Sequence, residues 1–145
     1  MKLYKNILVP FDLTQQSTRA VKVAFDIAKT SKSKVTLLTC LEGDAWHHKY
    51  YDARIDTQLI KQQKKVAKKY LEKLEPTAKK YGISVKSRIL PSKNVVRDIV
   101  TFAKKGKYDL VVIGSHGKSG FDKWLLGSVA NGVSQKVHCT VMIVK

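Results

Sequence analysis

The chain has little of what marks several broad classes of protein. Its 145 residues include two cysteines, three prolines and eight glycines, which excludes a disordered tail, a collagen-like repeat and a low-complexity linker. No apolar run approaches the roughly 20 residues that a bilayer span requires. Met1 leads directly into a strand-like segment, and Cys40 lies far from Cys139 with no Cys-x-x-Cys spacing. We therefore expect a reduced, cytoplasmic protein with no membrane role.

Acidic residues are also scarce. Eleven Asp and Glu stand against 28 Lys and Arg, so the net charge is +17, and such a field attracts polyanions. The sequence shows no helix-turn-helix, zinc finger or aromatic stacking platform, so nucleic-acid binding is expected to be at most weak and non-specific. The alternative to nucleic-acid binding is that the basic residues form a polar face exposed to solvent. The lysines concentrate in one predicted helix, at Lys61, Lys64, Lys65, Lys68, Lys69 and Lys73.

What the chain does have is a regular alternation of strand and helix patterns. Apolar runs predict five strands, and apolar residues at three- and four-residue steps predict four helices between them. Such alternation predicts one α/β domain over residues 1–145, with an open parallel sheet covered by helices on both faces. The strands are expected at 6–11, 35–41, 85–90, 108–113 and 140–144, and the helices within 14–31, from about 57 to 82, after a cap at Ser92, and over about 128–137.

Two parts of this pattern are less regular. Pro76 is expected to kink or divide the lysine-rich helix. The segment 42–56 has no apolar period, and its adjacent His47 and His48 have no third residue at zinc-site spacing, so a metal site there is not expected. Cys40 and Cys139 are interpreted as small buried apolar residues.

Ligands of open parallel sheets bind beyond the carboxyl ends of the strands, where the strand order reverses. Asp12 and Thr14 follow the first strand, and Gly114-Ser115-His116-Gly117 follows the fourth. After nine more residues, Gly127 and Ser128 begin a helix. Glycines allow close approach of the backbone, and the free amides of a helix N-terminus attract anions. The long glycine segment therefore predicts a phosphate site.

Other interpretations of these residues stay open. The glycine segment could be a connecting loop without a ligand, and Asp12 could cap the first helix. His116 could contact phosphate when charged or could be solvated. The triplet Gly117-Lys118-Ser119 imitates the end of a Walker motif, but Val112 stands where that motif requires glycine, and the dinucleotide pattern Gly-x-Gly-x-x-Gly is absent.

Taken together, these motifs resemble the ATP-binding branch of the universal stress protein family. The resemblance covers the whole chain. It rests on Ile7-Leu8-Val9-Pro10 with Asp12 soon after, on the block from Asp109 to Gly117, on Leu126-Gly127-Ser128-Val129, and on Cys139 before a short hydrophobic strand. It implies an adenine nucleotide alpha hydrolase-like fold with strand order 3-2-1-4-5, which would place Asp12 beside Gly114.

The resemblance also implies roles for individual residues. The segment around Pro10 would carry Asp12 to the ribose, the backbone at Leu41 would meet the adenine edge, and Gly114 would back the sugar. Thr14 keeps the hydroxyl that the family usually has as serine, and His116 is a candidate phosphate contact. Magnesium would be shared among phosphate oxygens and water. The phosphates would be held by main-chain amides and one hydroxyl, at Gly117, Gly127, Ser128 and Val129.

Two departures from the family pattern affect the cavity. Leu13 replaces a common glycine and is expected to narrow the cavity mouth, and Leu90 replaces another and could crowd the nucleotide. The function implied is a cytoplasmic, ATP-dependent regulatory module of the stress response. The alternatives are a slow ATPase and a basic adaptor that does not use nucleotide. A homodimer is expected through the last strand, Val141 to Val144, as in the family's usual dimer.

Overall fold

The computed structural model describes residues 3–41, 53–116 and 125–145. The described strands and helices alternate along the chain, as the apolar pattern predicts. In order they are β1 (Asn6–Pro10), α1 (Gln15–Ser31), β2 (Lys34–Leu41), α2 (Ala53–Tyr81), β3 (Ser84–Pro91), α3 (Val95–Lys105), β4 (Leu110–Gly114), α4 (Ser128–Lys136) and β5 (Thr140–Val144).

The five strands form one parallel sheet in the order β3-β2-β1-β4-β5, which confirms the expected topology. Strands β2 and β3 lie in sequence on one side of β1, and β4 and β5 lie on its other side. The order therefore reverses between β1 and β4. The carboxyl ends of these two strands are neighbours, so the turn after Pro10 lies beside Gly114.

Helices cover both faces of the sheet because side chains along each strand alternate between two cores. In β1, Ile7 and Val9 belong to the cluster under α1 and α2, whereas Leu8 belongs to the cluster under α3 and α4. All three are fully buried. This two-sided burial explains why β1 and β4 are nearly continuous apolar runs.

Helix α1 approaches the sheet closely through small residues. Ala20, Ala24 and Ala28 recur every four residues and are all fully buried. The helix begins after Thr14, whose side chain accepts a hydrogen bond from the Ser17 amide. Its start is thereby fixed beside the reversal point of the sheet, where β1 and β4 end.

Helix α2 is not divided at Pro76 but continues from Ala53 to Tyr81, so the expectation of a division there was wrong. Pro76 and Glu72 are both exposed. The carbonyl of Glu72, which loses its usual partner at Pro76, can therefore be hydrated. None of the helices in the described ranges is long and apolar enough to cross a membrane.

Two further expectations need correction. Asn94, not Ser92, caps α3, because its side-chain oxygen accepts a 3.0 Å hydrogen bond from the Arg97 amide. The Ser92 hydroxyl instead donates to Asp98 at 2.6 Å. The two cysteines, Cys40 and Cys139, are only partly buried, since each lies at the end of an element near the edge of its core.

Candidate functional site

A cavity of about 540 Å³ lies at the carboxyl ends of the strands, where the strand order reverses. This volume falls within the roughly 300–1,000 Å³ of small-molecule sites. Much of its wall is apolar and is contributed by β2, β4, α2 and α3. The apolar wall residues include Leu38, Leu41, Leu59, Val95, Ile99 and Ile113.

The turn between β1 and α1 forms one side of the cavity through a closed hydrogen-bond network. The Asp12 carboxylate accepts, at one oxygen, from the Thr14 amide at 3.1 Å and from the Thr14 hydroxyl at 2.5 Å. That hydroxyl also accepts from the Ser17 amide at 3.2 Å. The network fixes the half-buried carboxylate of Asp12 and leaves its second oxygen without a described protein partner.

Leu13 sits inside this turn with an unusual backbone. Its φ is +70°, in the left-handed region that costs a side-chain-bearing residue roughly 1–2 kcal/mol. The side chain is 45% exposed and lines the cavity. The glycine that the resemblance leads one to expect here is thus replaced by a residue that strains the turn and narrows the cavity mouth.

The opposite side of the cavity is the start of α4. Gly127 is its N-cap and makes no side-chain capping hydrogen bond. The following amides of Ser128, Val129 and Ala130 have no intrahelical partner, as at any helix start, and no described group accepts from them. All four residues line the cavity. A helix start of this kind carries about half a positive charge and attracts anions.

Hydrogen bonds join the end of β4 to the start of α4. The Gly127 amide donates to the Ser115 carbonyl at 2.8 Å. The His116 ring contacts the Ser115 hydroxyl through Nδ1 at 3.1 Å and the Leu125 carbonyl through Nε2. Since a carbonyl only accepts, Nε2 carries the proton in this arrangement. Both ring nitrogens of His116 are therefore engaged within the protein.

The glycines at 114 and 127 are required by backbone packing. A Cβ at Gly114 would lie 3.0 Å from backbone and side-chain atoms of Gln16, in the first turn of α1. A Cβ at Gly127 would lie 2.9 Å from the Ser115 carbonyl oxygen. These glycines allow α1 and α4 to start close to the end of β4, which brings both helix starts to one cavity.

A family model described as "Universal stress protein family" matches residues 3–145. The chain belongs to this family. It is 32% identical over 145 residues to universal stress protein MJ0531 of Methanocaldococcus jannaschii, covering 99% of this chain and 83% of that protein. Among solved structures, protein MJ0577 shares 27% identity and a TM-score of 0.81, covering 99% of this chain and 96% of its own.

Another similar structure is a universal stress protein solved in complex with cAMP. It shares 28% identity with this chain and a TM-score of 0.64, and the match covers 98% of this chain and 97% of that one. The family match and the structural similarity together account for the sheet order 3-2-1-4-5 with four helices.

Most of the residues expected from the universal stress protein resemblance meet at this cavity. Gly117 lies outside the described residues. Thr14 is not part of the wall and instead positions Asp12 and caps α1. The residues that do line the cavity are Pro10, Asp12, Leu41, Gly114, His116, Gly127, Ser128 and Val129.

Some of the detailed roles need correction. The Gly127 amide already donates to the Ser115 carbonyl, so it is not available to a nucleotide. The Leu41 carbonyl accepts from the Ser92 amide at 2.9 Å and keeps one lone pair for a further donor. Leu90 packs into the core under α3 and α4 and does not line the cavity. The expected crowding by Leu90 was therefore wrong, whereas Leu13 does line the cavity.

The motifs of the universal stress protein family did not reveal the contribution of α2. Leu59 and Gln63 both line the cavity, and Gln63 adds an amide to a mostly apolar wall. Because the sequence before α2 has no apolar period, the position of this helix along the sheet could not be predicted. The only signal in the sequence is that Gln63, an uncharged polar residue, lies four residues after Leu59 and therefore on the same side of the helix.

The opposite end of the sheet has a structural role. Asp109 accepts hydrogen bonds from the amides of Lys5 at 2.8 Å and Asn6 at 3.1 Å, which ties the entrance of β1 to β4. Burial raises the pKa of the nearby Cys139 thiol, and the negative charge of Asp109 raises it further. A raised pKa keeps this thiol protonated and weakly nucleophilic near neutral pH.

Proposed function

We propose that this universal stress protein binds adenine nucleotides, ATP in particular, in the cavity between β1 and β4. One observation carries the proposal: the amides of Ser128, Val129 and Ala130 and the second oxygen of Asp12, none of which has a partner among the described residues, belong to residues that line the same cavity. The amides suit a phosphate, and the carboxylate suits a ribose hydroxyl. The apolar wall formed by β2 and α3 suits a base. The similar protein solved with cAMP supports a ligand of this class.

Magnesium fits this cavity as a companion of the phosphates. Asp12 is the only carboxylate among the described wall residues, and one of its oxygens already accepts two hydrogen bonds. The described residues hold no group of three or more His, Cys, Asp or Glu that could bind a metal. Magnesium readily keeps water and phosphate oxygens as ligands, so we propose that these supply most of its coordination.

We propose a regulatory rather than a catalytic role in the cytoplasm. Among the described wall residues there is no lysine or arginine to take up charge on a transferred phosphoryl group. The contacts of Ser115 and His116 join the end of β4 to the start of α4. Phosphate binding at α4 would act on that same backbone, so nucleotide occupancy would alter the surface around Ser115, His116 and Leu125 that a partner protein could recognise.

We further propose a homodimer through β5. This strand is at the edge of the sheet and exposes apolar side chains, including Met142 at 36%. The other edge strand, β3, exposes Lys86 and Arg88, and such charges discourage edge pairing. Light scattering at micromolar concentration should give twice the mass of the chain. A monomer would contradict the dimer without affecting the nucleotide proposal.

The nucleotide proposal is tested by identifying what the protein carries. Mass spectrometry of the denatured, purified protein should detect a co-purified adenine nucleotide, and calorimetry of the stripped protein should rank ATP, ADP, AMP and cAMP. Single-turnover assays with bound ATP separate binding from slow hydrolysis. Absence of binding to all four nucleotides at millimolar concentration would refute the site and favour a nucleotide-independent adaptor.

A further inference from the structure

Helix α2 has two faces with different surroundings. Its inner face is part of a core: Ala67 and Ala78 are buried, and Tyr70 and Leu74 pack against the cluster under α1 and α2. Its outer face is covered by lysines, all exposed. We define this lysine face as Lys61, Lys64, Lys65, Lys68, Lys69 and Lys73.

The lysine face is an ordered row of charges. Lys61, Lys65, Lys69 and Lys73 follow one another at four-residue steps, which in an α-helix places their Cα atoms about 6 Å apart along the axis and the whole row over about 18 Å. Lys64 and Lys68 flank this row. From residue 58 to residue 81 the helix has eight lysines and only two acidic residues, Glu72 and Glu75.

These lysines are not paired with any carboxylate in the part of the chain that the structure describes. None of the six lies within 4 Å of any described carboxylate; the described ion pairs are Lys29 with Asp26 and Arg97 with Asp98. Like charges four residues apart on a helix repel each other. The row therefore opposes the stability of its own helix, and an external polyanion would relieve that repulsion.

The surroundings of the helix distinguish between possible polyanions. A membrane-surface helix inserts its apolar face between lipids, but the apolar face of α2 is already packed against the sheet through Ala67, Ala78 and their neighbours. A nucleic-acid duplex requires no apolar face and carries one charge per about 1.7 Å of its axis. Lysine binds phosphate as a point charge, and such contacts do not read base sequence.

From this geometry we infer that the lysine face of α2 binds the phosphate backbone of duplex nucleic acid without sequence preference. The row is separate from the nucleotide cavity, which α2 lines with Leu59 and Gln63 on another side. The inference does not depend on the proposed nucleotide function, and nucleotide-free protein is suitable for testing it.

The test compares two variants with the same loss of charge. In the first, Lys61→Gln, Lys65→Gln, Lys69→Gln and Lys73→Gln remove the row. In the control, four exposed lysines away from α2 are replaced by glutamine, at Lys86, Lys104, Lys105 and Lys136. Circular dichroism and thermal unfolding establish that both variants fold.

Binding is measured by fluorescence anisotropy with labelled random-sequence DNA and RNA duplexes of about 20 base pairs over a range of salt concentrations. Each phosphate contact contributes about 0.9 to the slope of log K against log salt, so loss of the row should reduce that slope by about 3 to 4. At about 100 mM salt we expect at least a tenfold loss of affinity, a smaller loss in the control and no dependence on base sequence.

Three results would overturn the inference. Equal losses in the two variants would show that only net charge matters. Retention of the full slope by the row variant would place the contacts elsewhere. Binding to phosphatidylserine vesicles that depends on the row, without binding to either duplex, would assign the lysine face to a membrane. A difference between DNA and RNA would identify which duplex the row prefers.

Discussion

The two sides of the cavity, the β1–α1 turn and the start of α4, are built in opposite ways. In the turn, the hydroxyls of Thr14 and Ser17 and one oxygen of Asp12 bond one another. At the start of α4, the amides of Ser128 and Val129 have no described partner. Within the described residues, the turn leaves only the second oxygen of Asp12 without a partner, whereas the start of α4 leaves several amides without one.

This difference indicates a division of labour. The hydrogen bonds of the turn fix the Asp12 carboxylate and leave one of its oxygens for the cavity. Under the proposed function, the turn would therefore orient a ligand without changing its own conformation. The start of α4 has a partial positive charge that no described carboxylate compensates, so under the proposed function it would provide the free energy that attracts an anion. Substitutions on the two sides should therefore have different effects on stability and affinity.

The largest effect is expected at the start of α4. In Gly127→Ala the new Cβ would lie 2.9 Å from the Ser115 carbonyl oxygen, so the helix start must move. Because φ is −59°, the backbone itself accepts alanine, and the effect comes from this contact and from the His116 Cα at 3.2 Å. We expect at least a hundredfold weaker ATP binding by calorimetry, equivalent to about 2.8 kcal/mol.

Gly132→Ala is the matched control for this substitution. Its Cβ would meet a side chain, Val96, at 2.8 Å, and the site lies in the middle of α4, away from the amides. We expect it to change the free energy of unfolding with little change in ATP affinity. Equal losses of affinity in the two variants would mean that helix stability, rather than the position of the amides, controls binding.

The comparison also shows which features are predictable from sequence. Strand β4 is buried at all five of its positions. A continuous apolar run such as Leu-Val-Val-Ile is typical of a parallel strand that is covered by helices on both faces. The glycines at 114 and 127 can also be identified from the sequence, because the chain has few glycines. Gly114 ends a predicted strand, and Gly127 directly precedes a predicted helix. Local pattern was sufficient for the fold and for the position of the site.

Long-range backbone hydrogen bonds could not be predicted in this way. The Leu41 carbonyl is used by Ser92, and the Gly127 amide is used by Ser115; both pairs join segments whose contact depends on tertiary packing. The sequence identified residues that line the cavity, but it could not show which of their backbone groups already have partners within the fold. The positive φ of Leu13 was also hidden, because leucine is a poor indicator of that conformation.

A smaller effect is expected from the turn. Thr14→Val removes the hydroxyl that caps α1 and orients Asp12, and loss of such a cap costs about 1 kcal/mol of unfolding free energy. The carboxylate of Asp12 would keep only the amide of residue 14 as a donor, so we expect roughly tenfold weaker ATP binding, or about 1.4 kcal/mol. Denaturant unfolding and calorimetry measure the two quantities separately.

Thr14→Ser keeps the hydroxyl and should retain both stability and affinity. If Thr14→Val instead lost stability while ATP affinity stayed unchanged, the turn would be a helix cap alone, and the division between an orienting side and an attracting side would be wrong.

The smallest effect is expected from the strained residue within the turn. Leu13→Gly removes the cost of a side chain at φ +70°. Glycine loses more conformational entropy on folding than leucine does, and this loss offsets part of the gain. The expected net stabilisation is about 0.5–1 kcal/mol. Since Leu13 offers the cavity only apolar contact, we expect ATP affinity to change less than about threefold.

Lys32→Gly is the matched comparison, because Lys32 has φ +54° at the other end of α1 and does not line the cavity. Both substitutions should raise the denaturant midpoint by similar amounts, since each relieves the same backbone strain. A more than tenfold loss of affinity confined to Leu13→Gly would show that the leucine is a binding wall. In that case the turn would supply binding free energy as well as orientation, and the contrast with the start of α4 would narrow.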